Sequence, residues 1–136
     1  MATQMGAVDE MLSIVKTAWD AHASGAPLYY DNQDGDRPDS PATFGRAVVR
    51  HFDGAQISIG DQSLKRRFGG LFVQIFVPQG SGQVSIRELS DQVMFAIEDA
   101  RPSTVRLTDV QVNELGTDGT YFQVNVYANF SYDRVS

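Results

Sequence analysis

The sequence predicts an α+β domain: a mixed, mainly antiparallel sheet flanked by two helices, in the order α-β-β-β-α-β-β. Three observations carry this. Two segments place apolar residues at helical spacing, one near the start and one after residue 82. The residues from Tyr121 to Tyr132 alternate apolar and polar without a break. The remaining apolar runs are short and are joined by turn-forming Asp-Gly, Pro and Gly, which favours antiparallel pairing.

The first helix is expected over Gly6 to Ala23, with Val8, Met11, Leu12, Val15 and Trp19 forming one stripe. Asp9 and Glu10 then fall in its first turn, where the helix dipole favours negative charge, and Gly25 and Pro27 end it. Residues 28–42 read as an extended acidic arm or loop, dominated by "YYDNQDGDRP". Its cluster Asp31, Asp34, Asp36 and Asp39 invites a calcium reading. Counted from Asp31, however, Gln33, Gly35 and Ala42 stand where a calcium loop needs carboxylates, so a solvated loop is the better reading.

"TFGRAVVRHF", Thr43 to Phe52, reads as a strand, Asp53-Gly54 as a turn, and "AQISIG" as the strand back. "DQSLKRR" reads as a loop, and Lys65, Arg66 and Arg67 make it the densest positive cluster in an acidic chain. Leu71 to Val77 is apolar on both faces except at Gln74, which suits a central strand covered on both sides. Pro78 to Gly82 is a turn, and Ser85 with Glu88 matches a capping box. The second helix runs to about Ala100 with Ile86, Leu89, Val93, Ala96 and Ile97 on one side. Met94 and Phe95 fall off that stripe, and Pro102 stops the helix. "TVRLTDVQVNEL" changes apolar phase between Leu107 and Val110, as a bulged strand does. "GTDG" is a hairpin turn into the last strand. That strand turns Phe122, Val124, Val126, Ala128, Phe130 and Tyr132 one way, and Tyr121, Gln123, Asn125, Tyr127, Asn129 and Ser131 the other.

Composition narrows the function. The 136 residues fit one domain, 1–136. A formal charge of −6 disfavours non-specific phosphate binding, and the lack of cysteine excludes disulfides, thiolate metal sites and cysteine nucleophiles. No apolar run reaches the roughly 18 residues that span a bilayer, and the first residues lack a signal-type pattern, so synthesis in the cytoplasm is expected. The strand, Gly80-Ser81-Gly82 turn and helix look like the start of a nucleotide-binding loop, but the third glycine and a nearby lysine are missing. His22 and His51 match no helical metal pair, and spacing names no triad, so no enzyme is expected.

"GGLFVQIFVPQGSGQ", the "YYDNQDGDRP" arm, "TFGRAVVRHF" and the aromatic last strand together resemble the tail terminator-like proteins of long-tailed bacteriophages, over most of the chain. The resemblance implies a structural virion protein. It forms a homohexameric ring at the head-proximal end of the tail tube, stops tube growth, and offers a surface to the head connector or neck protein. Genomic DNA passes through such a ring without sequence-specific binding, and no membrane is involved. The resemblance carries over no catalytic residue, cofactor or metal. A ring needs two different complementary patches per subunit, and Asp31, Asp34, Asp36 and Asp39 against Lys65, Arg66 and Arg67 are the expected pair. Ala55 to Lys65 is the expected docking loop for the tail tube protein. A head–tail joining protein and a small ligand-binding domain are the alternatives.

Overall fold

The computed structural model describes residues 4–22, 26–30, 42–52, 55–56, 64–78, 83–100, 102, 105–117 and 120–135. In chain order they form α1 (Gln4–His22), β1 (Leu28–Tyr30), β2 (Phe44–His51), β3 (Ala55–Gln56), β4 (Leu64–Pro78), α2 (Gln83–Asp99), β5 (Arg106–Thr117) and β6 (Tyr121–Val135). The strands make one sheet in the order β1-β2-β4-β6-β5, with β3 pairing β4 beyond the end of β2. Only β1 against β2 is parallel; the other pairs are antiparallel. The predicted α+β class and order therefore hold, but the expected hairpin after Asp53-Gly54 does not: the strand back, β3, pairs with Lys65 and Arg66 of β4 and not with β2. The structure adds β1, because Leu28 to Tyr30 at the head of the acidic arm lie beside Gly45 to Ala47.

Side-chain parity decides where the core sits. On β4, Leu71, Val73, Ile75 and Val77 share a face with Val124, Val126 and Ala128 of β6 and with Ala47 of β2. Both helices press on this face. From α1 come Ala7, Met11, Val15 and Trp19, and from α2 come Ile86, Leu89, Val93 and Ile97, all buried in one cluster. Trp19 shows how tight the fit is. Its indole N–H donates to the Ala26 carbonyl at 2.8 Å, and its ring lies over Gly45, where a Cβ would stand 2.5 Å from the ring. Ser90 is the polar residue buried among these, and its hydroxyl donates to the Arg87 carbonyl one turn back.

Several expectations need correction. α1 starts at Gln4, so Asp9 and Glu10 lie in its second turn, and the first turn holds no acid. α2 starts at Gln83, which puts Ser85 inside the helix rather than at its cap. The Lys65–Arg67 segment is not a loop: β4 is 15 residues long and begins at Leu64. No helix among the described residues covers the second face of β4. Phe76 is buried there by aromatic neighbours instead, stacked on Phe44 at 4.5 Å and edge-on to Tyr121 at 6.2 Å. Tyr121 is thus buried on the face expected to be polar. The expected bulge is present: register slips between Thr108 and Gln111, and Asp109 adopts φ 54°. A second slip falls before Gly116, at φ 82°. The tip of the GTDG turn lies outside the described residues.

Candidate interaction surface

The face of the sheet turned away from the helices is the chemically distinctive part of the molecule. Strand register arranges it in rows. Arg46, Gln74, Asn125 and Asn113 lie side by side across β2, β4, β6 and β5. The next row is Val48, Phe72, Tyr127 and Gln111, and the next Arg50, Gly70, Asn129 and Thr108. Phe68, Ser131 and Arg106 follow, then Arg66 opposite Asp133. Phe52 continues the alternation of β2 beside Phe68, whose carbonyl accepts its N–H at 2.8 Å.

The rows have a structure of their own. Phe72 and Tyr127 lean together at 4.8 Å, and both rings crowd Gly70, where a Cβ would meet Tyr127 at 2.6 Å and Phe72 at 3.0 Å. The Gln123 amide donates to Asn125 at 2.8 Å, and the Tyr127 hydroxyl donates to the Asn129 side-chain oxygen. Asn129 in turn donates to Asp109 at 3.2 Å, so the β5 bulge supplies the acceptor that ends this chain. Phe52 and Phe68 are 48% and 37% exposed, which makes them the open apolar end of the face.

The charge on this face is mostly positive. Arg46, Arg50, Arg66 and Arg106 share it with two aspartates, Asp109 and Asp133, in a chain of net charge −6. Arg66 donates to Asp133 at 2.9 Å, and this bond holds the Asp133 carboxyl below the usual carboxylate range. Sequence reasoning treated Lys65 to Arg67 as one cluster. A strand separates them: Arg66 belongs to the open face with Asp133, and Arg67 has the parity of the helix-covered face, opposite Tyr132. The same reasoning missed Arg46 and Arg50, although "RAVVR" puts both on one parity of a strand. Asp31, Asp34, Asp36 and Asp39 lie outside the described residues. So do 57–63 of the expected docking loop, whose ends belong to β3 and β4.

His51 has the parity of the helix-covered face. Its Nε2 hydrogen-bonds the Tyr132 hydroxyl at 2.7 Å, with Phe130 edge-on at 5.1 Å. Burial, then the Arg67 charge, pushes its pKa below the ordinary imidazole value. The hollows described all lie on the helix layer. The one between α1 and α2, about 420 Å³, is walled by Ile14, Ala18, Ala21, Ala96, Ser13, Thr17 and His22. Among the described residues, no group of three or more His, Asp or Glu is able to hold a metal, and no helix is long and apolar enough to cross a membrane.

The chain matches no protein-family model and no curated protein. Twenty-nine solved chains match its fold. One, a protein without a functional name, is 15% identical and superposes with a TM-score of 0.57 over 89% of this chain and 94% of its own. At that identity the likeness shows the fold alone.

Proposed function

We propose that this protein is a structural virion protein, the subunit of a homohexameric ring that caps the head-proximal end of a phage tail tube. The ring ends tube polymerisation and presents its outer surface to the head connector or neck protein. The observation that carries the reading is the one-sided sheet. Two helices cover one face, and the other carries a broad surface of aromatics, amides and arginines with no covering layer among the described residues. Subunits built for assembly leave such surfaces exposed when alone. A ligand-binding domain instead folds its polar groups into a concave pocket. The sequence resemblance supplies the tail and the ring. The net charge of −6 suits a channel that lets DNA pass without adhering. The segment from Ala55 to Lys65 is the proposed contact to the tail tube protein.

Electron microscopy of a lysate with an early stop codon in this gene tests the proposal. Overlong or ragged tails beside tailless heads are expected. Normal-length free tails would move the protein to the neck, and normal infectious particles would remove both readings.

A further inference from the structure

The ring reading first pointed to the acidic arm against Lys65 to Arg67, but the arm lies outside the described residues and β4 divides the three cations between two faces, so the charge distribution of the described surfaces is the better guide to which surfaces meet. α2 buries Ile86, Leu89, Val93 and Ile97 against the sheet, so its opposite side points outward. Phe95 stands there, 48% exposed. Asp91 precedes it by four residues, and Glu98 and Asp99 follow at three and four, so all three flank it on the outer surface, and all are exposed. An aromatic ring bordered by acids thus tops the helix layer. The open sheet face on the far side is mostly basic: Phe52 and Phe68 are exposed, Arg50 lies two residues before Phe52, Arg106 lies in the row of Phe68 beyond Ser131, and the nearby Asp133 is held by Arg66.

We propose that a second copy of this chain is the occupant of the open sheet face. Phe95 of one copy seats against Phe52 and Phe68 of the next, with Asp91 and its neighbouring acids facing Arg50 and Arg106. This rests on the ring reading and specifies its interface. Arginine suits the place because its planar group both stacks on rings and holds carboxylates in two-pronged hydrogen bonds. Buried aromatic and arginine anchors carry most of the energy of protein interfaces. The two patches lie on opposite sides of one subunit. The contact is therefore head-to-tail, the type that propagates into a ring when its rotation closes.

The natural chain has no cysteine, so any disulfide reports an introduced pair. Phe95→Cys and Phe68→Cys proteins, each full-length, are mixed and oxidised. The mixed disulfide is expected as the dominant dimer, over both self-pairings. Asp91→Arg in the first protein should abolish it, and Arg106→Glu in the second should restore it. No mixed disulfide, or self-pairings in equal amount, overturns the proposal. The stop-codon lysate reads the tail function separately. A mixed disulfide with normal tails would remove the terminator reading and keep the interface. Defective tails without the disulfide would do the opposite.

Discussion

The two faces of the sheet are made by the same strands and obey different rules. Under the helices, Leu71, Val73, Ile75, Val124 and Val126 are fully buried aliphatic residues, interlocked with two helical stripes. On the other face, Phe72, Gln74, Asn125, Tyr127 and Asn129 are half-buried, and neighbours in the sheet plane satisfy them. One parity holds the domain together, and the other presents it. A change at one residue should therefore affect stability or association according to its parity, even between adjacent positions.

The sharpest contrast is between adjacent glycines. Gly69 faces the helix side, and a Cβ there would stand 1.9 Å from the Arg50 carbonyl oxygen, so backbone must move. Gly69→Ala should cost about 3 kcal/mol in a denaturant melt. Gly70→Ala meets only the Tyr127 and Phe72 rings, which can swing outward, and should cost about 1 kcal/mol. Equal losses would mean that the open face is packed as rigidly as the core.

α2 repeats the comparison within one helix. Ile97 is 2% exposed, and Ile97→Ala should cost about 3 kcal/mol through the cavity it leaves. Phe95→Ala, two residues earlier, should stay within about 0.5 kcal/mol and should weaken self-association instead. A large loss of stability at Phe95 would show that its ring serves the fold.

A smaller effect separates by pH. The folded-state pKa of His51 is depressed, so the unfolded chain binds the proton more readily. Stability should be complete above the unfolded value, near 6.5, and fall as pH drops through the folded value. His51→Gln should flatten that part of the profile measured by urea unfolding. The smallest change belongs to Arg66 and Asp133, half-exposed at the end of the ladder. Asp133→Asn should shift the melting temperature slightly, and less still in high salt.

The sequence made both parities legible, because residues 121–132 alternate without interruption and the Leu107–Val110 phase change betrays the bulge. It could not show that both helices choose the same face, since that follows from tertiary packing rather than local pattern. Lys65 to Arg67 looked like a loop because three consecutive basic residues show no apolar alternation, and only their pairing with Tyr132 to Arg134 of β6 makes them a strand. β1 was hidden by its three-residue length. The two halves of the open surface, Arg50 and Arg106, are 56 positions apart in sequence and meet only through the register of β2, β4, β6 and β5.

The strand order also sets a folding timetable. β6 is the last strand in chain order, yet it lies between β4 and β5. Its pairing with β4 joins Pro78 to Tyr121 at one end and Leu64 to Val135 at the other, contacts of long sequence separation that form slowly. Until β6 is synthesised, β4 presents an unpaired edge and β5 has no strand to lie against. Translation must therefore deliver almost every described residue before the sheet can close. Between the completion of β4 at Pro78 and the arrival of β6 at Tyr121, the nascent chain is a half-sheet in need of protection from its own kind.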